Sequence, residues 1–213
     1  MGRKKLLNGF YNCTVILTYL GFVLGLFGIV CAIEGNFPLA MIMLMSAGIC
    51  DMFDGAVAAT RERTRQEKNF GIQIDSLSDL VCFGVLPAVF VYTMSCGSVL
   101  ATVCGGLYAL CALIRLAYFN VCEEERQETE TGARKYYTGL PVTSAAVVWP
   151  LAFLVGEFVS VPMEWVLPVL AAVMAVAFVL GFKLKKPHTV GKIVMVAIGV
   201  AELVLVIISC TKR

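Results

Sequence analysis

The chain has 213 residues and a formal net charge of +2. Apolar residues make up 59% of it and charged residues 15%, and its mean hydropathy is +0.85. Soluble domains have about 45–50% apolar and about 25% charged residues, so this composition excludes a soluble domain as well as a disordered chain. The small net charge also argues against binding of nucleic acid, which needs a strongly basic surface. The sequence therefore predicts a single integral membrane domain over residues 1–213, with the fold of a polytopic all-α bundle.

Seven apolar stretches have about the length of a transmembrane helix, because a bilayer core about 30 Å thick needs roughly 20 residues per helix. They cover residues 13–33, 38–59, 74–95, 98–121, 140–155, 163–182 and 193–210. The third stretch carries two Asp and the fifth is short, so six spans plus a re-entrant or interfacial segment is the alternative. No cleavable signal peptide is visible before the first stretch.

Lys and Arg are concentrated in alternate connections, and this asymmetry predicts the orientation of the chain. Basic residues precede the first stretch and recur after the second, fourth and sixth. The connections near Glu34, Cys96 and Ser160 contain none. We therefore expect the N-terminus and every sizeable polar loop on the cytoplasmic side of the cell membrane.

The cysteines and the histidine offer little chemistry. Nine cysteines are spread through the predicted spans without a CxxC pair. The simplest interpretation is that they are small apolar helix residues, with disulfides or zinc as the alternative. His188 is the single histidine of the sequence, which leaves almost nothing for a catalytic triad or a histidine metal site. Gly21 and Gly25 form a GxxxG pair, which is typical of close helix packing.

All four aspartates of the chain lie within one short window. Asp51 and Asp54 are spaced i, i+3, and Asp75 and Asp79 are spaced i, i+4, so each pair lies on one face of its helix. The first pair is in the cytoplasmic half of the second stretch, and the second pair is at the cytoplasmic start of the third. Residues 60–70 form the predicted loop between them, so antiparallel packing is expected to bring all four carboxylates together.

Such a cluster needs compensation, because like charges repel strongly in a low dielectric and an ionisable group in a membrane span is costly. Carboxylates without His or Cys nearby favour hard divalent ions such as Mg²⁺, Mn²⁺ or Ca²⁺, and two bridged ions suit displacement at phosphorus. Ion pairs with Arg61, Arg63 or Arg65 are one alternative. A divalent-cation transporter that uses the four Asp as a permeation site is another.

Small residues accompany the aspartates. Gly55 directly follows Asp54, Ala58 lies one turn after it, and Gly71 lies one turn before Asp75. Small side chains leave room for a ligand to approach the helix backbone, so we interpret these three positions as part of a binding site rather than as helix-packing residues alone.

The segment 51–79 reads D-x-x-D-G-x-x-A and then G-x-x-x-D-x-x-x-D. It resembles the signature of the CDP-alcohol phosphatidyltransferases. The resemblance implies a helical membrane fold with six core spans, usually dimeric, and transfer of a phosphatidyl group from a CDP-activated lipid to an alcohol with release of CMP.

The same resemblance implies a role for each motif residue. Asp51 and Asp75 would each contact both of two metal ions. Asp54 would contact one ion and Asp79 the other, and Asp79 would also be the general base. The resemblance implies further that the nucleotide lies against Gly55 and Ala58, with Gly71 nearby.

Three further stretches, at residues 71–92, 115–121 and 137–146, resemble the phosphatidylserine synthase branch of the family. They imply CDP-diacylglycerol and L-serine as substrates, with a sister enzyme that uses glycerol 3-phosphate or an inositol phosphate as the alternative. Membrane lipids and a second copy of the chain, in a homodimer, are the other expected partners.

The chain departs from the family pattern at one position. Ala59 stands where the family usually has an Arg that would contact the CDP-lipid. Arg61 lies two residues further, which is about 200° around a helix of 3.6 residues per turn. We expect Arg61 to replace the missing cation only if the helix ends near Ala59.

Four other residues are candidates for substrate contacts. Arg115 is the single basic residue within a predicted span, and we expect it either to bind the serine carboxylate or a lipid phosphate, or to snorkel to the headgroups. Lys135, in a mostly solvated loop, is expected at the serine entry. Thr14 and Thr18 share one face of the first helix and either reach the nucleotide or bond to their own helix backbone.

A serine hydroxyl is a poor nucleophile near neutral pH, so a carboxylate base would assist it. Asp79 stands at the end of the carboxylate row and is the expected acceptor of that proton. No Ser–His or Cys–His nucleophile pair is apparent in the sequence, which favours direct in-line attack on phosphorus.

Overall fold

The computed structural model of the protein describes residues 9–11, 15–61, 63–129, 136–159, 161–185 and 189–211. Over these residues the chain is almost entirely helical. The helices are α1 Ile16–Ile33, α2 Phe37–Ala59, α3 Arg65–Asp79, α4 Leu86–Met94, α5 Val99–Thr129, α6 Ala145–Phe158, α7 Met163–Val179 and α8 Thr189–Thr211. A π-helical turn at Leu80–Val85, hereafter the π turn, joins α3 and α4 into one continuous helix.

The apolar helices correspond to the seven predicted stretches. Within the described part of the chain, four are long and apolar enough to cross a membrane: Ile16–Ile33, Phe37–Gly55, Arg65–Met94 and Val99–Glu125. Three more are apolar but shorter: Val142–Phe158, Met163–Val179 and Val196–Thr211. Large apolar side chains cover their outer faces, including Phe27, Val103 and Trp165 at 53–61% exposure. Such a surface is suited to lipid, so the prediction of an all-α membrane bundle with a short fifth helix is confirmed.

One helix begins much earlier than hydropathy indicates. The third predicted stretch starts at residue 74, after a predicted loop over residues 60–70, but α3 starts at Arg65. Its N-terminus is fixed by a capping box, in which Thr64 Oγ1 accepts from the Glu67 N–H at 3.2 Å and Glu67 Oε2 accepts from the Thr64 N–H at 2.9 Å. The prediction was wrong because the first two turns of α3 are largely polar, and hydropathy does not register a Thr-x-x-Glu signal.

The bundle also carries a small antiparallel ribbon that the sequence does not indicate. Strand β1, Tyr136–Thr138, pairs with strand β2, Lys183–Lys185. The predicted span 163–182 therefore ends as a helix at Val179, and its last residues lead into β2. Strands of three residues are too short to show an alternating pattern.

The GxxxG pair lies where α1 packs on its neighbours. A Cβ at Gly25 would lie 2.6 Å from the Cys82 Sγ, and one at Gly21 would lie 3.4 Å from the Cys50 Cβ. The Cys82 thiol also donates to the Gly21 carbonyl at 3.3 Å. The two glycines thus let α1 approach both α2 and the π turn, as expected of a packing motif. All eight cysteines in the described ranges are free.

The core of the bundle is aromatic. Its largest fully buried side chains include Trp149, Tyr108, Phe83, Phe90, Phe153 and Phe178. Phe90 and Tyr108 both meet the Trp149 ring edge-on, with ring centroids 6.1 and 5.5 Å apart. Phe83 belongs to the π turn, so this core packs directly against the segment that follows the second aspartate pair.

Candidate active site

The acidic cluster comprises Asp51 and Asp54 of α2 and Asp75 and Asp79 of α3. Helix α1 packs against both of these helices, and one cavity between the three is lined by all four aspartates. One carboxylate oxygen each from Asp51, Asp54 and Asp75 lies within 4.8 Å of the others. Asp79 lies one turn further along α3 and is 9% exposed. The spacing of the two pairs therefore does bring the four side chains to one site.

The donor set of this cluster fits a hard divalent cation. Mg²⁺ and Ca²⁺ bind oxygen at about 2.0–2.6 Å, so oxygens on opposite sides of one ion are up to about 5 Å apart. The 4.8 Å spread of the three carboxylate oxygens lies within that limit. Cys82 also lines the cavity, but its thiol bonds to the Gly21 carbonyl. The chemistry of the site thus favours a metal that prefers oxygen over one that prefers sulfur.

Two hydroxyl groups link α1 to the acidic cluster. Thr18 Oγ1 donates to Asp54 Oδ2 at 3.4 Å, and Ser78 Oγ donates to the Thr18 carbonyl at 3.3 Å. Thr18 and Ser78 are both buried. Thr18 therefore contacts a carboxylate, a partner that sequence reasoning did not consider, and its role toward the nucleotide stays a prediction. Ser78 was missed because a single Ser in a span carries no pattern.

A third hydroxyl holds the other side of α3. Ser76 Oγ donates to Asn120 Oδ1 of α5 at 2.9 Å. Since Ser76 and Ser78 lie between Asp75 and Asp79 in sequence, the acidic segment of α3 is bonded to α5 on one side and α1 on another. These bonds restrict rotation of α3 about its axis, which would otherwise redirect both carboxylates.

The small residues beside the cluster differ in their surroundings. Gly55 is exposed, and a Cβ there would have no protein atom within 4 Å. Ala58 is half-buried. A Cβ at Gly71 would lie 3.4 Å from Arg63 Nη1. The position next to Asp54 is therefore open, as expected if a ligand lies there.

The structure bears directly on the missing arginine at position 59. Helix α2 ends at Ala59 with Thr60 as its C-cap, so Arg61 lies beyond the helix, and its side chain is exposed. Because the helix ends there, the separation of about 200° between positions 59 and 61 on a helix does not apply to Arg61. Arg63 is half-buried with its guanidinium beside Gly71, one turn before Asp75. Sequence reasoning did not select Arg63 for substrate binding, because its approach to Gly71 depends on how the chain turns between α2 and α3.

Arg115 lies in α5 and is 7% exposed. Its guanidinium carbon is 5.5 Å from the centroid of the Phe119 ring, which allows a cation–π contact. The side chain borders a cavity of about 260 Å³ between α5 and the end of α7, lined by Ile114, Arg115, Tyr118, Phe178, Val179, Leu180 and Gly181. The buried position contrasts with the snorkelling alternative, in which the side chain would extend outward.

Gly139 forms part of the surroundings of Arg115. Its φ is +75°, and a Cβ there would lie 3.0 Å from the Leu180 carbonyl and 3.5 Å from Arg115 Nε. A glycine is needed both for this conformation and for the close approach of the backbone. Thr14 and Lys135 lie outside the described residues, so their predicted contacts remain predictions.

A family model described as CDP-alcohol phosphatidyltransferase matches residues 11–182. The chain belongs to the CDP-alcohol phosphatidyltransferase family. The match runs from just before α1 through the end of α7, and so extends beyond residue 146, where the last of the three similar stretches ends. These phosphatidyltransferases are metal-dependent in general, and this member offers three converging carboxylates to a metal ion.

Curated members of the CDP-alcohol phosphatidyltransferases resemble this chain over much of its length. The archaetidylserine synthase of Methanothermobacter thermautotrophicus is 30% identical over 175 residues, which cover 82% of this chain and 71% of the relative. The CDP-diacylglycerol–serine O-phosphatidyltransferase of Mycobacterium bovis is 31% identical over 82% of this chain and 61% of the relative. The Saccharomyces cerevisiae protein of the same name is 37% identical over 52% of this chain and 40% of the relative. This chain thus spans less than two thirds of the last two.

Proposed function

We propose that the protein transfers the phosphatidyl group of CDP-diacylglycerol to the hydroxyl of L-serine, with phosphatidylserine and CMP as products. The observation that carries the proposal is the meeting of both halves of the family signature in one cavity, with three carboxylate oxygens within 4.8 Å. The names of the three relatives agree on serine and differ in the lipid.

The acidic cluster would hold the divalent metal, with Asp51, Asp54 and Asp75 as ligands to one ion and Asp51, Asp75 and Asp79 as ligands to a second. Mg²⁺ and Mn²⁺ are the proposed ions, with Ca²⁺ as the alternative. When bound, the metal neutralises charge on the pyrophosphate and on the CMP leaving group.

Asp79 would act as the general base. In the proposed step the serine oxygen bonds to the β-phosphorus of the CDP-lipid, which carries the diacylglycerol. The bond from that phosphorus to the oxygen of CMP breaks, and the serine proton passes to the Asp79 carboxylate. Because Asp79 is buried, bulk water has little access to the carboxylate that would accept the serine proton.

Cationic groups around the cluster would hold the anionic parts of the substrates. Arg115 is proposed to bind the serine carboxylate, with Lys135 at the entry. Arg61 and Arg63 are proposed to bind the CDP-lipid phosphates in place of the arginine missing at position 59. Gly55, Ala58 and Gly71 would lie against the nucleotide, with Thr14 and Thr18 on the side of α1.

The orientation and assembly of the chain are also proposals. The alternation of basic connections supports a cytoplasmic N-terminus and a cytoplasmic active site in the cell membrane. A homodimer in contact with membrane lipids is the proposed assembly. A cysteine-accessibility assay from each side of sealed vesicles would test the orientation.

An acceptor assay tests the proposed function. Purified protein would be mixed with CDP-diacylglycerol, Mn²⁺ or Mg²⁺, and one acceptor at a time: L-serine, glycerol 3-phosphate or an inositol phosphate. We expect that, of the three acceptors, only serine gives CMP release. Release with one of the other acceptors would instead indicate the sister activity that uses that acceptor. Absence of CMP release with every acceptor, together with metal flux into proteoliposomes, would favour the transporter alternative.

Gly55→Ala is expected to raise thermal stability and weaken CDP-lipid binding. Alanine in a helix interior is more favourable than glycine by about 0.5–1 kcal/mol, and no protein atom lies within 4 Å of the added Cβ. A methyl group at this open position would meet the nucleotide, so both the KM for CDP-lipid and the melting temperature should rise. Gly106→Ala, which also has open space at its Cβ, is the matched control. An unchanged KM in the Gly55 variant would exclude contact between Gly55 and the nucleotide.

Arg63→Ala is expected to raise the KM for CDP-lipid about 10-fold to 100-fold, because hydrogen bonds to charged groups contribute about 1.5–3 kcal/mol. Arg65→Ala serves as its control, since Arg65 is exposed in the first turn of α3. Steady-state kinetics at saturating serine would separate the two variants. Equal effects of both variants would indicate a general loss of positive charge, with no specific role for Arg63.

A further inference from the structure

The π turn begins at the residue after Asp79 and has a cause in the sequence. In an α-helix the carbonyl of Phe83 would accept from the N–H of residue 87, but residue 87 is proline and has no N–H. The backbone widens instead, and the Leu86 N–H donates to the Val81 carbonyl five residues back. A proline is thus placed where it removes the α-helical partner of one buried carbonyl.

A side chain from another helix supplies the missing donor. The Tyr108 hydroxyl of α5 donates to the Phe83 carbonyl at 2.6 Å. Trp149 Nε1 of α6 donates to the Tyr108 oxygen at 3.1 Å, so the hydroxyl hydrogen is left for the carbonyl. Both aromatic side chains are fully buried. The three groups form a chain of two hydrogen bonds from Trp149 of α6 through Tyr108 of α5 to the Phe83 carbonyl of the π turn.

The packing around this hydrogen-bond chain lets α5 approach the π turn closely enough for the Tyr108 hydroxyl to reach the Phe83 carbonyl. A Cβ at Gly84 would lie 3.0 Å from Leu80 Cδ1 and 3.4 Å from the Ala112 Cβ. Gly84 therefore lets α5 lie against the π turn at the level of Ala112, one turn from Tyr108. A buried carbonyl that lost this hydroxyl would have no water to replace it, because the surrounding side chains are apolar.

The π turn sets the direction in which the α3 aspartates point. Helix α4 is anchored in the core by Leu86 and Phe90, neither of which is exposed. Successive helical residues are about 100° apart, so one extra residue in a turn rotates the preceding helix face by roughly that angle. Asp75 and Asp79 precede the turn, and their approach to Asp51 and Asp54 depends on that rotation.

We propose that Tyr108 is a positioning residue for the active site: its hydroxyl holds the π turn in the form that directs Asp75 and Asp79 into the acidic cluster. Tyr108 lines neither the acidic cavity nor the cavity at Arg115. The inference concerns the geometry of the metal ligands, and it rests on the proposed function only in its kinetic readout.

The test is a Mn²⁺ titration of the purified full chain in detergent, with free Mn²⁺ followed by electron paramagnetic resonance. Tyr108→Phe keeps the ring and removes the hydroxyl, and we expect its Mn²⁺ dissociation constant to rise about 10-fold. Its kcat should fall while the KM for serine stays within about twofold. Tyr92→Phe is the matched control, since Tyr92 is 46% exposed on α4 and should bind Mn²⁺ as the wild type does.

A second variant covers the case in which Tyr108→Phe does not fold. Pro87→Ala restores an N–H to the helix, so the turn can return to α-helical bonding and rotate α3. We expect Pro87→Ala to keep or raise the melting temperature yet weaken Mn²⁺ binding, a combination that a purely structural role would not produce. Wild-type Mn²⁺ affinity in every folded variant would overturn the proposal, and so would a wild-type chain that binds no Mn²⁺. If the variants change the Mn²⁺ affinity as expected but the wild-type protein releases no CMP, the proposed function is contradicted and the positioning role of Tyr108 is not.

Discussion

Asp79→Asn is expected to reduce phosphatidyl transfer by a factor of about 10²–10⁴, the range that a positioned general base contributes. Asparagine has nearly the shape of aspartate but cannot take the serine proton. Asp79 is 9% exposed, and Asp51, Asp54 and Asp75 supply the three converging oxygens, so metal-dependent binding of CDP-lipid should be largely retained. CMP release and CDP-lipid binding would be measured on the same preparation.

Asp54→Asn provides the contrast for this experiment. It changes a carboxylate of the converging group that is also bonded to Thr18, so we expect it to lose CDP-lipid binding together with turnover. If Asp79→Asn lost both properties in the same way, Asp79 would be mainly a metal ligand, and the base would have to be sought elsewhere.

Removal of divalent cations is expected to abolish CMP release, and Mn²⁺ or Mg²⁺ should restore it. Three carboxylates within 4.8 Å would repel one another without a cation between them, so the metal should also stabilise the fold. At a concentration 100 times its dissociation constant, a ligand stabilises the native state by about 2.7 kcal/mol. Thermal unfolding in detergent with EDTA, and then with increasing Mn²⁺, measures this effect apart from catalysis.

Two controls make the metal experiment decisive. Zn²⁺ tests the preference for hard ions, because it favours nitrogen and sulfur ligands that this site supplies only through the hydrogen-bonded Cys82. The Asp75→Asn variant should lose the Mn²⁺-dependent rise in melting temperature. Full turnover in excess EDTA would contradict both the metal site and the role assigned to the acidic cluster.

Much of this molecule could be predicted from local properties of the sequence. Hydropathy depends on runs of neighbouring residues, so it located all seven apolar helices. The i, i+3 and i, i+4 spacings define helix faces, so they predicted that Asp51, Asp54, Asp75 and Asp79 would meet. The capping box at Thr64 is also a local signal, carried by Thr64 and Glu67 three residues later.

Other features depend on where residues distant in sequence meet. The bond from Thr18 to Asp54 joins residues 36 apart, and that from Tyr108 to the Phe83 carbonyl joins residues 25 apart. Arg63 lies beside Gly71 because of the turn after α2. None of these contacts follows from a periodic pattern, because each depends on how close and at what rotation two helices pack.

The sequence by itself determined that this chain is a membrane bundle, that its four aspartates lie on two helix faces, and which family it resembles. The tertiary structure decided how those faces are oriented toward each other and which side chains hold them. The physical reason is that helix formation and lipid exposure depend on neighbouring residues. The rotation of α3 about its axis depends instead on its contacts with other helices. These are the hydrogen bonds of Ser76 and Ser78, and the π turn with its proline and the Tyr108 hydroxyl.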